Sequence, residues 1–243
     1  MNFMKKIIFA ALLVVLLVSC AIAFDGEEKW HVKLDAPISS GIAVTKDALL
    51  FGDASGTFYS INREDGAKIW DYNGSGSICG LPVFAGEAII FAQADGEITS
   101  LKISDGSLIW KNPPADYNSA MNDGIAKGDG RIYAAKNDSK LYALDITDGK
   151  TLWTYTAKQA LRTAPAYSDG LVFQGEYDGI FSILEAKSGK RLNGGGAGGA
   201  VNTPVIVDGN VYFSGCRKSW ADSDERWQKY RYILCKRSRD DPP

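Results

Sequence analysis

The chain has 243 residues, of which 45% are hydrophobic and 23% charged, so it can bury the core of one large domain or two small ones. Aromatic residues make up 11% of the chain and the glycines follow no three-residue period, which excludes a disordered chain and a collagen. The formal net charge of −2 argues against nucleic acid as a partner, and a single histidine, His31, excludes a His-rich metal site.

Residues 1–23 have the composition of a secretory signal peptide. Two lysines precede an apolar run from Ile7 to Val18, which is shorter than the roughly 20 residues of a membrane-spanning helix. Cleavage after Ala23 would release the chain. Cleavage before Cys20, which ends a sequence resembling the lipobox of bacterial lipoproteins, would leave that cysteine as a lipidation site. A buried core helix is the remaining alternative.

Three cysteines follow this segment, and export would place them in an oxidising compartment that permits disulfides. They are Cys79, Cys216 and Cys235, an odd number with wide spacings and no C-x-x-C motif. We expect Cys79 to be a small, buried apolar residue. A bridge between Cys216 and Cys235 stays open.

A repeat of about 40 residues organises the chain from the first tryptophan onward. Tryptophans follow one another at intervals of 40, 40 and 43 residues, and a glycine comes four residues before each later member of the series and before Asn193, where the tryptophan is missing. The residues are Trp30, Trp70, Trp110 and Trp153, with Gly66, Gly106, Gly149 and Gly189. A fixed period of this length indicates an array of one supersecondary unit.

Each unit predicts four short strands. In the second unit, apolar runs up to Trp110 are separated by Gly86-Glu87, Asp95-Gly96 and Asp105-Gly106, which are typical of tight hairpin turns. Four strands in 40 residues predict one β-propeller blade. The fold prediction is an all-β propeller with about four complete blades and a partial fifth in an incomplete ring. Each tryptophan should lie on an outermost strand and pack between adjacent blades. Residues 28–34 are predicted to form a further strand.

Two segments, Phe58–Trp70 and Ala143–Trp153, resemble the tryptophan-docking motif of PQQ-like, or quinoprotein-type, β-propeller repeats, and the resemblance extends over about 30–215. The family includes dehydrogenases that bind pyrroloquinoline quinone (PQQ) and Ca²⁺, and a non-catalytic BamB-like branch of outer-membrane assembly lipoproteins. A lipobox followed by these repeats is similar to the second group. The resemblance therefore implies no cofactor, and PQQ with Ca²⁺ only if the chain is a fragment of a dehydrogenase.

The chain departs from the family pattern at its C-terminal end. The family generally closes about eight blades, roughly 320 residues at this period, whereas 24–215 supply fewer than five units. After Gly215 the repeat stops, and the net charge changes from −7 over 24–215 to +3 over 216–243. We expect 216–243 to be a basic tail outside the repeat, either the product of a truncated or frame-shifted gene or a genuine tail.

Other candidate sites are weak. The glycine run 194–199 contains G-x-G-x-x-G but is followed by an apparent strand instead of a helix, so we expect a flexible inter-strand loop and no dinucleotide site. Arg162 and Asn202, shortly before Pro165 and Pro204, and likewise Cys79, fall near the inner strands that would line a central channel. We expect these side chains to pack within the protein instead of contacting a ligand. No catalytic, cofactor-binding or metal residues are predicted.

The sequence thus favours an exported, non-enzymatic scaffold in the periplasm or at the outer membrane. It would hold a protein partner through strand edges or loops, with a lipid anchor if Cys20 is modified. The alternative is a fragment of a PQQ-dependent dehydrogenase.

Overall fold

The structure, a computed structural model, describes residues 28–114, 120–177, 179–196, 201–207 and 210–212. The predicted signal peptide with Cys20, and the predicted tail with Cys216 and Cys235, lie outside this part of the chain. Residues 28–33 belong to one unit, and the described residues from Leu34 onward, which include every strand, belong to another. No helix in the described part is long and apolar enough to cross a membrane.

The second unit consists of short antiparallel strands joined by tight turns. The first sheet contains β1 (Ala43–Val44), β2 (Ala48–Gly52), β3 (Thr57–Asn62) and β4 (Lys68–Asn73), and the second contains β5 (Ile78–Ala85), β6 (Ala88–Gln93), β7 (Ile98–Lys102) and β8 (Leu108–Asn112). The third contains β9 (Ile125–Gly128), β10 (Arg131–Ala135), β11 (Lys140–Asp145) and β12 (Thr151–Thr156), and the fourth β13 (Ala166–Ser168), β14 (Leu171–Gly175), β15 (Ile180–Glu185) and β16 (Arg191–Gly196). The fifth pairs β17 (Val205–Val207) with β18 (Asn210–Tyr212).

Within each sheet the strands lie in chain order. The first strands of successive sheets contact one another, from β1 through β5, β9 and β13 to β17, so they form the inner side of the array and the fourth strands its outer side. This is the arrangement of propeller blades. The prediction of four complete blades and a partial fifth is confirmed.

The turn between the second and third strands of a blade needs one residue with positive φ. Gly56 and Gly96 supply it, both with φ of 97°, and Ser139 supplies it in the third blade with φ of 65°. The conformational freedom of glycine explains why this turn recurs where the sequence places Gly after Asp or Ser.

The hydrophobic core lies between the blades, because one sheet cannot bury both of its own faces. The core between the second and third blades contains Ile90, Ile98 and Trp110 from one side and Ile132 and Leu144 from the other. Similar clusters lie between the first and second blades and between the third and fourth.

The structure corrects two predictions. None of residues 28–34 is in a strand, although Trp30 and Val32 alternate with polar residues, because a strand also needs a hydrogen-bonded neighbour. The predicted loop at 194–199 is wrong for Gly194–Gly196, which belong to β16 and pair with Ile180–Ser182 of β15. Glycine lacks a side chain to pack but still pairs through its backbone. Residues 197–200 lie outside the described part.

Candidate functional site

The docked tryptophans tie each blade to the next. Each lies on an outermost strand, and its indole N–H donates to a backbone carbonyl oxygen of the following blade. The bonds are Trp70 to Ile103 at 2.9 Å, Trp110 to Ile146 at 3.1 Å, and Trp153 to Ala186 at 2.9 Å. Trp70 and Trp110 are buried and Trp153 is half-buried. The indole groups therefore fix the rotation of one blade against its neighbour.

Each ring also covers a glycine of the next blade. A Cβ added at Gly106 would lie 2.7 Å from Cε3 of Trp70, and one at Gly149 would lie 2.4 Å from Cε3 of Trp110. The same contact joins Gly189 to Trp153, at 2.6 Å. The sequence motif pairs each glycine with the tryptophan four residues later, but the contact runs to the tryptophan of the preceding blade. In the sequence, each of these tryptophans precedes the glycine that its ring covers by 36 to 39 residues.

The first and last members of the series differ. Trp30 is half-buried and belongs to the unit that contains residues 28–33. Gly66 has φ of 74°, and its N–H donates to the carbonyl oxygen of Asn62 at 3.0 Å in the turn between β3 and β4. Asn193, at the position of the missing tryptophan, is half-buried in β16, and its side-chain oxygen accepts from the N–H of Gly194 at 2.7 Å.

All four outermost strands carry the same irregularity. Where β3 pairs with β4, Ser60 lies opposite Trp70 and Ile61 opposite Lys68, which leaves the residue between them as the extra residue of a β-bulge. The register shifts in the same way at β8, β12 and β16. The bulge residues are apolar and 43–48% exposed: Ile69, Ile109, Leu152 and Leu192. We call these four residues the outer apolar row.

The outer apolar row lies on strands that are edges of their sheets, since β4, β8, β12 and β16 each end the strand order. An edge strand leaves one row of backbone N–H and C=O groups without a partner strand. A bulge limits unspecific pairing of the edge strand with other strands, and it turns one side chain toward solvent. The arrangement therefore offers an apolar contact and a short pairing edge on every complete blade.

At the inner side, one carboxylate joins three blades. Asp123 precedes β9, and its carboxylate accepts hydrogen bonds from the N–H of Ala164 at 3.0 Å, the hydroxyl of Thr203 at 2.6 Å and its neighbour Gly124 at 2.8 Å. Burial opposes ionisation of this half-buried group, but the three hydrogen bonds outweigh it and hold the pKa of Asp123 below its usual range.

The thiol of Cys79 lies beside this carboxylate group. Its Sγ donates to the backbone oxygen of Asp123 at 3.4 Å. Burial, with the nearby charges of Asp123 and Asp95, raises the pKa of Cys79 to about 12. The thiol is therefore protonated at neutral pH, and thiolate nucleophilic chemistry is not supported here.

Arg162 and Asn202, the other predicted channel residues, are both exposed, and the guanidinium of Arg162 lies 4.4 Å from the centre of the Tyr177 ring. The group that joins the blades, Asp123, was missed by the sequence analysis. Pro165 and Pro204 mark Arg162 and Asn202 in the sequence, whereas the third blade has Ile125 at the corresponding position. Asp123 thus lacked the proline that marked the other two.

The described residues contain no group of three or more His, Cys, Asp or Glu side chains that could hold a metal ion. The carboxylate of Asp123 already accepts hydrogen bonds from three donors of the chain itself.

Comparison with known proteins bears on the fold and the family. The curated relatives include "Outer membrane protein assembly factor BamB" of Francisella tularensis, 34% identical over 76 residues, which are 31% of this chain and 15% of that protein. They also include "Alcohol dehydrogenase (quinone), dehydrogenase subunit" of Acetobacter aceti, 36% identical over 75 residues, which are 26% of this chain and 10% of that protein. The chain thus matches only 10–15% of the length of these relatives.

Among solved structures, BamB from Moraxella catarrhalis superposes with a TM-score of 0.66 at 17% identity, covering 77% of this chain and 60% of that one, which shows a shared fold. A family model described as "Outer membrane protein assembly factor BamB" matches residues 17–120 and 95–193. Since these matches cover most of the repeat region, the chain belongs to this BamB family of PQQ-like β-propeller repeats.

Proposed function

We propose that the chain is a non-enzymatic β-propeller scaffold of the bacterial cell envelope, which holds a protein partner during outer-membrane protein assembly. Membership of the BamB family supports this placement. So does the signal-peptide composition of residues 1–23, with attachment to the outer membrane if Cys20 is lipidated. Metabolic labelling with palmitate should mark the protein, and Cys20→Ala should abolish the label. If the wild-type chain is not labelled, the scaffold would be released into the periplasm without a lipid anchor.

The observation that carries the proposal is the outer apolar row on four edge strands. Beyond each bulge the edge strand is regular for three or four residues, as from Trp153 to Thr156. An extended segment of a partner can add a strand there and rest an apolar side chain on the neighbouring row residue. Strands of outer-membrane barrels alternate apolar and polar residues, which suits contact of this kind.

The test compares two substitutions on the same strand. Leu152→Lys places a charge in the outer apolar row, whereas Thr151→Lys places the same charge at the neighbouring exposed residue. The probe is a fluorescent ten-residue peptide of alternating apolar and polar residues, and binding is followed by anisotropy. Leu152→Lys should remove one of the four row sites, so the amount of peptide bound at saturation should fall by about a quarter. Thr151→Lys should bind as the wild type does. Equal binding by both variants would overturn the proposal.

A second candidate function, a fragment of a PQQ-dependent dehydrogenase, is favoured by the similarity to the Acetobacter aceti subunit. Adding PQQ, Ca²⁺ and an electron-accepting dye to the purified chain tests it directly. Oxidation of an alcohol or a sugar under these conditions would replace the scaffold proposal. The scaffold proposal expects no turnover.

A further inference from the structure

A cavity of about 560 Å³ lies between the second and third blades, beside the docked ring of Trp110. Trp110, Ile109 and Ile146 give it an apolar wall. Two lysines and two carboxylates also line it, so its lining carries no net charge at neutral pH. Its volume lies in the range of small-ligand sites, and the balance of charges favours an uncharged, largely apolar group over an ion.

The next junction shows what fills the equivalent space. Between the third and fourth blades, the ring of Tyr167 stacks on that of Tyr133, with centroids 5.8 Å apart and planes at 9°. It covers Gly128 so closely that an added Cβ would lie 2.0 Å from its Cδ1. The hydroxyl oxygen of Tyr167 accepts from the N–H of Gly170 at 3.3 Å.

At the junction that contains the cavity, a lysine replaces this ring. The strand registers place Lys127 in the third blade where Tyr167 stands in the fourth, and place Phe84 and Ile206 at the same position in the second and fifth. The ammonium group of Lys127 donates to the backbone oxygen of Phe84 at 2.6 Å. The lysine therefore spans the junction without filling it, and the cavity includes the space that a ring takes elsewhere.

The wall also holds a buried hydroxyl. Ser100 is fully buried, lines the cavity, and has no hydrogen-bond partner for its Oγ among the described residues. Ser60 holds the same position beneath Trp70 and is also without a partner, so the distinctive feature at Ser100 is the adjoining cavity. A buried hydroxyl without a hydrogen-bond partner destabilises the fold, but this Oγ has almost no accessible surface and is not presented to a ligand as it stands. Gly130, the counterpart of Gly170, lines the cavity as well.

We propose that this cavity binds the phenol ring of a tyrosine side chain carried by the partner protein, in the way that Tyr167 fills the next junction. The inference rests on the proposed function, because it takes the partner to be a protein. The ring would lie against Trp110, and its hydroxyl oxygen would accept from the N–H of Gly130, as that of Tyr167 accepts from Gly170. The bound ring would give the partner a second contact beside the outer apolar row, because Ile109 of that row forms part of the cavity wall.

The experiment uses N-acetyl-3-fluorotyrosinamide as the probe and follows its ¹⁹F signal on titration with the full chain. The signal should shift saturably, and the indole N–H resonance of Trp110 should move while those of Trp70 and Trp153 stay in place. Lys127→Tyr combined with Ala85→Gly rebuilds the filled junction, because Ala85 holds the position of Gly128. This double variant should weaken probe binding by at least about tenfold. The control Lys127→Ala, which leaves the cavity open, should still bind.

Absence of saturable binding to the wild-type chain, or a Trp110 resonance that does not move, overturns the inference whatever the variants do. Equal binding by the filled variant also overturns it. The comparison of Leu152→Lys with Thr151→Lys tests the scaffold on another blade and another peptide. Failure of the tyrosine site therefore leaves that result standing, and failure of the scaffold test would not remove binding of the free probe.

Discussion

At the residue scale, the contact between blades depends on a glycine as much as on a tryptophan. Gly149 meets two requirements at once: its φ is 71°, and the ring of Trp110 occupies the space of a side chain. Gly170 has a similar φ of 78° but no atom within 4 Å of an added Cβ. The two positions therefore separate the cost of backbone conformation from the cost of displacing the indole ring.

Gly149→Ala should destabilise the protein more than Gly170→Ala. Both variants carry the cost of a left-handed backbone for alanine, about 1–2 kcal/mol. Gly149→Ala adds the displacement of Trp110, whose Cε3 would lie 2.4 Å from the new methyl group, for a total of about 3 kcal/mol or more. Urea unfolding of the two variants beside the wild type measures the difference. Equal losses would contradict the docking of Trp110 on Gly149.

The sequence predicts the members of this contact but not the pairing between them. A constant period and a constant glycine register predict that Trp110 and Gly149 have structural roles. Their partnership depends on how far one blade turns relative to the next. That rotation is set by the whole set of side chains packed between two sheets, so short-range spacing does not contain it.

At the element scale, the strands follow from apolar alternation and turn residues, whereas the bulges do not. The runs that end at Trp70 and Trp110 contain no residue that marks a bulge, since Ile69 and Ile109 are ordinary strand residues. A bulge exists only relative to the partner strand, and here it keeps the tryptophan inward although the preceding turn is fixed by glycine. The outer apolar row therefore could not be predicted from the sequence.

Deletion of Leu152 tests this account of the bulge. Without the extra residue, Trp153 and the turn at Gly149 cannot both keep their places, because a shift of one residue turns a strand side chain to the opposite face. The deletion should cost about 3–5 kcal/mol, as expected for the loss of a packed tryptophan. Leu152→Ala keeps the bulge and removes a half-exposed side chain, so it should cost less than about 1 kcal/mol. Thermal unfolding of both variants beside the wild type measures the two losses of stability, and equal losses would contradict this account of the bulge.

At the scale of the whole molecule, most contacts join neighbouring blades only, as in other repeat proteins. Asp123 is an exception in the described part of the chain, because its carboxylate binds groups from the next blade and the one after it. The sequence predicted the array but not this link between non-adjacent repeats. Loops before the inner strands differ from blade to blade, and their meeting point depends on the curvature of the array.

Asp123→Asn should lower stability at neutral pH, because a neutral amide accepts these hydrogen bonds less strongly than a carboxylate. In either orientation its –NH₂ group would also face at least one backbone N–H that donates to the carboxylate. The loss should be about 1–2 kcal/mol, since the carboxylate is only half-buried and solvent weakens the charged hydrogen bonds. Asp47 is exposed and provides the control Asp47→Asn, whose urea midpoint should equal that of the wild type.

The pH dependence gives the sharper readout. The folded-state pKa of Asp123 lies below that of the unfolded chain, about 3.9, so its contribution is fully present above that value and is lost as pH falls through the folded-state pKa. Urea midpoints of wild type and Asp123→Asn should therefore differ at pH 7 and at pH 5 and converge as the pH falls through the lowered folded-state pKa of Asp123. A difference that stays constant over this range would assign the loss to altered packing and not to the charge that joins the three blades.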